Sequence, residues 1–131
     1  MRLWHYKLIP YLDRQHLLGQ HRECCALRGK GWGKKHATVD YVFKHDPRQL
    51  YMYHELVMKE MNVRYYGVDE KWHDAYYRGQ YCMPWQHIGS SIDMYPEHDD
   101  AYLRFCIDKL EKKGINVSAM RKDLLEKKND K

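Results

Sequence analysis

Asp13-Arg14-Gln15-His16-Leu17-Leu18-Gly19-Gln20-His21-Arg22-Glu23-Cys24-Cys25-Ala26-Leu27-Arg28 is the stretch whose reading decides the fold. No Pro interrupts it, Asp13 can cap its start and Gly29 can end it, so it reads as a helix of about four turns. At roughly 100° per residue, Leu17, Leu18, His21, Cys24 and Cys25 share the face a core would take. The opposite face carries Gln15, His16, Arg22 and Glu23, with Gly19 and Ala26 between them. Small residues set among polar ones leave a shallow depression, ringed by an acid, a cation, an imidazole and an amide, where a ligand backbone could approach. The plainer reading is an ordinary solvated face.

Working outward, residues 1–12 alternate loosely and contain Pro10, which predicts an extended arm leading into the helix. On the other side lies Arg28-Gly29-Lys30-Gly31-Trp32-Gly33-Lys34-Lys35-His36. Glycines let a backbone approach a phosphate chain, lysines neutralise it and Trp can stack or wedge. No G-x-x-x-x-G-K-[ST] spacing runs through it, so it is not a P-loop, and a flexible loop with solvated lysines fits equally well. Residues 37–45 read as helix rather than buried strand, with Thr38 as cap and Val39, Val42 and Phe43 at helical spacing. Asp46-Pro47 is a start signal for a helix to Met61, with Leu50, Tyr53, Leu56, Val57 and Glu60 along one side. Residues 62–96 are the least periodic part, holding Tyr65, Tyr66, Trp72, Tyr76, Tyr77, Tyr81 and Trp85 among glycine and proline breakers. A loop of this length is usually functional, although most of its rings are expected to pack inward. Pro96 opens the next predicted helix, with Tyr102, Leu103, Cys106, Ile107 and Leu110 on one side and Gly114 at its end. Ser118 is expected to cap a last helix through Leu125, followed by a fraying tail at Lys127-Lys128.

The bulk properties bound the function classes. The 131 residues suit one domain, and Tyr (12) far outnumbers Phe (2), so amphipathic aromatics do much of the packing. Formal net charge is +5, and it is local: nine basic side chains stand against three acidic ones from Met1 to His45, leaving the remainder nearly neutral. A polyanionic partner is compatible with that field. No apolar run approaches the ~20 residues of a membrane span, and charge and His break up the N-terminus where a signal peptide needs an apolar core. Cys24 and Cys25 are helix neighbours that cannot easily bridge each other, and Cys82 and Cys106 stand alone, which fits free thiols in a reducing cytoplasm. His54-Glu55 starts a His-Glu-x-x-His zinc motif, but position 58 is Met, and the scattered histidines form no ligand pair, so no metal is expected. With no internal repeat, residues 1–131 read as a single all-α domain with a long irregular aromatic-rich loop.

Asp13 with Gln15-His16-Leu17, then Arg22-Glu23, then Arg28-x-x-Gly31-x-x-Lys34-Lys35-His36, resembles the pyrimidine-dimer DNA glycosylase family. The resemblance covers roughly half the chain: it is strong at the N-terminus, faint through residues 50–61, and returns at Lys113-Gly114-Ile115-Asn116-Val117. It implies a compact all-helical domain with glycosylase and abasic-site lyase activity on ultraviolet-damaged duplex DNA, without a cofactor. It also implies that the nucleophile is the N-terminal α-amine, here that of Met1, and that Glu23 is the assisting carboxylate. Arg2, Gln15, His16, Arg22, Arg28, Lys34 and Lys35 are the implied DNA contacts.

That chemistry is self-consistent. An α-amine with a pKa near 7.7–8.0 has a usable free-base fraction at neutral pH, and a carboxylate beside it can stabilise developing positive charge and move protons. Reaching the sugar requires displacing a base, at a cost of a few kcal/mol. The expected molecule is a cytoplasmic, nucleoid-associated monomer. Two other readings stay open. One is a non-catalytic nucleic-acid-binding helical module; the other is an enzyme on a small molecule that uses the Glu23–His16 pair.

Overall fold

The computed structural model describes residues 3–29, 41–42, 44–90 and 92–126. Among these the regular elements are all helical. The deciding stretch forms α1, Arg14–Arg28, and the Asp13 carboxylate accepts the His16 amide at its start. Helix α2, Pro47–Val63, begins where Asp46-Pro47 signals it, with Asp46 accepting the Arg48 N–H. Helix α3, Asp100–Lys112, starts later than the expected Pro96, because Asp99 is the residue whose side chain caps the Tyr102 amide. Helix α4 is a single turn, Ser118–Met120, that continues as a π-helical segment, Arg121–Glu126. Its start is held by Asn116, whose side chain accepts the Ser118 N–H, rather than by Ser118 itself. The helix expected over 37–45 lies mostly outside the described residues, of which Tyr41, Val42 and Lys44 are helical. The Lys127-Lys128 tail also lies outside them.

The arm is a correction. Tyr6–Tyr11 is a 3-10 helix with Pro10 inside it, and the His5 imidazole caps it by accepting the Lys7 N–H. The short 3-10 form admits Pro10 where an α-helix would be broken, and it buries Leu8 and Ile9. Helix α2 packs on both α1 and this 3-10 turn. Leu17, Cys24 and Leu27 of α1 meet Leu50, Tyr53 and Val57 of α2 and Leu103, Ile107 and Leu110 of α3 in the core. No helix among the described residues is long and apolar enough to cross a membrane.

The core face of α1 is rotated from the expected one. Gln20 and Arg28 are buried there, whereas Leu18, His21 and Cys25 are only partly covered. On α2, Gln49, His54 and Met58 join the buried face. The described residues of 64–90 and 92–99 are irregular apart from a 3-10 turn at Glu70–His73. Several contacts hold this segment close, two of them through backbone groups. Gly89 donates its N–H to Asp46 at 2.7 Å, and any Cβ on it would overlap that carboxylate. Arg78 donates its Nε–H to the Arg28 carbonyl at 2.7 Å.

α2 and α3 end in the same way. Beyond each last turn a residue with left-handed backbone lets the next amide reach back, Tyr66 N–H to Met61 O at 2.8 Å and Ile115 N–H to Leu110 O at 3.1 Å. At α3 the left-handed residue is Gly114 (φ 90°), but at α2 it is Tyr65 (φ 64°), whose side chain is 95% exposed. A Cβ in that conformation carries about 1–2 kcal/mol of strain, with no burial to offset it. Tyr65→Gly is therefore expected to stabilise the protein by about 1 kcal/mol, read as a raised urea midpoint at unchanged slope. An unchanged or lowered midpoint would show that the tyrosine contributes stability of its own.

Candidate active site

The polar face of α1 is set by its caps and by the N-terminal arm. His16 Nδ1 lies 2.6 Å from Asp13 Oδ1. Burial pushes the Asp13 carboxyl up, but the hydrogen bond and charge of His16 outweigh it and hold the group below its ordinary value. The other side of the His16 ring meets Trp4 edge-on, at 5.9 Å between centroids. Gln15 and Arg22 are exposed and Glu23 is half-buried. Arg22 lies over Gly19, its Nη2 at ordinary van der Waals distance, 3.8 Å, from where a Cβ would stand. His16, Gln20 and Glu23 occupy one stripe at i, i+4 and i+7.

The arm crosses this stripe. Trp4 donates its N–H to Gln20 Oε1 at 3.0 Å, and the Tyr53 hydroxyl lies 2.6 Å from the same oxygen and 2.7 Å from the Trp4 carbonyl. The Tyr102 hydroxyl donates to the Leu3 carbonyl at 2.5 Å, and the Tyr6 N–H donates to His98 Nδ1 at 3.1 Å. None of Gln20, Tyr53, His98 and Tyr102 is among the sequence-derived site residues. Gln20 was legible in one respect: it falls on the 17–20–24 stripe of α1, and a polar side chain at such a core position is expected to have a partner. Met1, Arg2, Lys34 and Lys35, with the Gly31–His36 loop, lie outside the described residues.

Arg28 departs most from its expected role. It is fully buried, and each of its five donors has an acceptor within the protein. Nε reaches the Tyr77 carbonyl at 3.0 Å, Nη1 the Trp72 carbonyl at 2.8 Å and His54 Nδ1 at 3.0 Å, and Nη2 the Asp74 and Tyr77 carbonyls at 2.5 and 2.7 Å. Its guanidinium also lies over the rings of Trp72 and Tyr51. No N–H is left for a phosphate, so Arg28 joins α1 to the 72–77 segment rather than contacting DNA.

Arg28 also decides the chemistry of a neighbouring cluster. His21, Cys25 and His54 bring their donor atoms within 4.8 Å of one another, close enough to surround a metal ion. Accepting from Arg28 at Nδ1, however, puts the His54 proton on Nε2, the nitrogen turned toward the other two. That N–H donates to His21 Nδ1 at 2.9 Å. Binding a metal at His54 Nε2 would move the proton to Nδ1, against the guanidinium N–H. Burial also pushes the Cys25 thiol up to about 12, so it stands as a neutral thiol beside the two imidazoles. The cluster fits a neutral hydrogen-bonded relay better than a metal centre.

The imidazoles of His5, His21, His54 and His98 are all held below their ordinary pKa, in each case chiefly by burial, His98 down to about 3. They are neutral in the folded protein and gain protons on unfolding once the pH drops below about 6.5. Their stability is complete above that pH and is lost on acidification, by up to about 1.4 kcal/mol per pH unit for each group. Thermal unfolding at pH 5.0 is therefore expected at a clearly lower temperature than at pH 7.5, and equal midpoints would contradict the neutral assignment.

Beside the last turn of α1, an open cavity of about 240 Å³ lies between Ala26 and Gly29 on one side and Trp72, Arg78 and Tyr81 on the other. The site thus combines a helix with an acid, a cation, an amide and an imidazole on one face, an N-terminal arm laid across it, and an adjoining cavity. This is the architecture of a small all-helical protein with a polar groove built on its first long helix. Residues 1–74 match the family model of pyrimidine dimer DNA glycosylase, more than half of the 131 residues, and the chain belongs to that family. No curated protein and no solved structure matches the chain.

Proposed function

We propose that this protein is a DNA repair glycosylase with associated abasic-site lyase activity on ultraviolet-damaged duplex DNA. The N-terminal α-amine of Met1 acts as nucleophile, and Glu23 assists. The amine attacks the sugar carbon that bears the damaged base, the base departs, and the resulting iminium carries the positive charge that Glu23 stabilises. Glu23 then takes part in the proton transfers of elimination. Arg22, Gln15 and His16, with Arg2, Lys34 and Lys35, hold the duplex, and the 240 Å³ cavity offers room for a displaced base.

The observation that carries this reading is the arm on the helix. Trp4 is bonded to Gln20 and packed on His16, and Glu23 lies one turn further along the same stripe. The arm thus lies against the face of α1 that carries Glu23, which supports a reaction in which a group at the start of the chain meets that carboxylate.

The test is borohydride trapping of untagged protein on duplex DNA with an abasic site, then on ultraviolet-irradiated duplex. A covalent adduct mapping to the N-terminal residue is expected on both. Intact binding without an adduct would overturn the imine mechanism and favour the non-catalytic module.

A further inference from the structure

Polar side chains are seldom buried between helices unless their partners fix something, since apolar residues of the same shape would pack there at lower cost. Here four polar side chains, three of them buried, drawn from α1, α2, the segment before α3, and α3 itself, converge on one short piece of backbone. Gln20 takes the Trp4 N–H, Tyr53 the Trp4 carbonyl, Tyr102 the Leu3 carbonyl and His98 the Tyr6 N–H. Gln20, Tyr53 and His98 are buried. The contacts go to main-chain groups, so they read the position of the chain along the groove and not the identity of its side chains.

His98 shows how narrowly the arrangement is aimed. Accepting at Nδ1 leaves the proton on Nε2, a buried nitrogen with no partner among the described residues. The ring also stacks on His5 and Tyr6, so it holds the arm by packing as well as by its one hydrogen bond. Gln20 links the two halves of the site, because its Oε1 holds the arm while its backbone lies on the stripe between His16 and Glu23.

We propose that Gln20, Tyr53, Tyr102 and His98 form a register clamp that fixes Leu3–Tyr6 along the face of α1 that carries Glu23. They are positioning residues for the reacting amine. This rests on the amine reading above, and it adds that imine formation depends on groups that touch neither DNA nor the reacting atoms. A shift of one residue along the arm would move every group it carries by about 3.3 Å, enough to cost a reacting group its attack geometry.

The experiment is single-turnover borohydride trapping on an abasic duplex, with the dissociation constant measured in parallel. Gln20→Leu, Tyr53→Phe and Tyr102→Phe keep the shape of each side chain and remove its bond to the arm. Each is expected to lower the trapping rate about tenfold or more, with duplex affinity within about twofold. Gln20→Glu, which still accepts the Trp4 N–H, is expected to recover most of the rate. Leu110→Ala serves as the stability control, since it opens the core on α3 without touching the arm. It is expected to lower the melting temperature yet keep the wild-type rate at 20 °C. Wild-type rates in the Leu and Phe variants overturn the clamp and leave the glycosylase reading intact, as does an equal loss in Leu110→Ala. A wild-type protein that forms no adduct overturns the amine reading and the clamp with it.

Discussion

Glu23→Gln is expected to lower strand cleavage at an abasic site by about 100-fold or more, with binding to the same duplex retained or slightly tightened. The substitution keeps the shape and hydrogen-bonding reach of the side chain and removes its charge and its capacity to take a proton. General acid–base assistance is worth about 10²–10⁴ in rate, and the charge facing a developing iminium adds to it. Binding should survive because Glu23 opposes the phosphates electrostatically and contributes nothing to their neutralisation. Gel-resolved cleavage and a binding isotherm on one abasic duplex, at one salt concentration, separate the two effects. Undiminished cleavage would remove Glu23 from the mechanism. Parallel losses of cleavage and affinity would point to a structural role.

The second large effect is one of stability. Arg28→Met leaves the carbonyls of Trp72, Asp74 and Tyr77 and the His54 Nδ1 without their donor in a closed site. Removing one side of such a buried charged network costs about 3–5 kcal/mol, a large share of the stability of a domain this size. Arg28→Lys should rescue little, because an ammonium offers three donors where five are used and cannot reproduce the planar fork. Urea titration reads the loss directly. The contrast with a phosphate-binding arginine is sharp, since such a residue would lose DNA affinity and salt dependence on substitution while the urea midpoint stayed in place. That outcome would return Arg28 to the DNA surface.

Helix boundaries were legible wherever a short-range chemical signal marks them. Asp13 and Gly29 bracket α1, and Asp46-Pro47 opens α2, because capping is decided by residues within one turn. The direction each helix turns inward was less legible. Periodicity ranks faces by apolar side chains, and it placed Leu18 and Cys25 in the core ahead of Gln20 and Arg28. Those two are buried because groups distant in sequence satisfy them, Trp4 and Tyr53 for Gln20 and the 72–77 carbonyls for Arg28. No local pattern contains that information. The same reason hid the arm's partners, since the Tyr102 bond to Leu3 spans 99 residues. The polar face of α1 was readable as a set of residue types, but its relation to the arm became visible only in three dimensions.

Of the bonds that Arg28 makes to the segment after α2, all go to carbonyl oxygens of the main chain. Every amino acid presents that oxygen, so apart from the Trp72 ring beneath the guanidinium the joint places little demand on what the segment is made of. Substitutions at Gln80 or Tyr81, on the wall of the cavity, leave that attachment in place. A fold joined in this way separates constancy from change: the first helix can stay fixed while the surface beside it is rewritten.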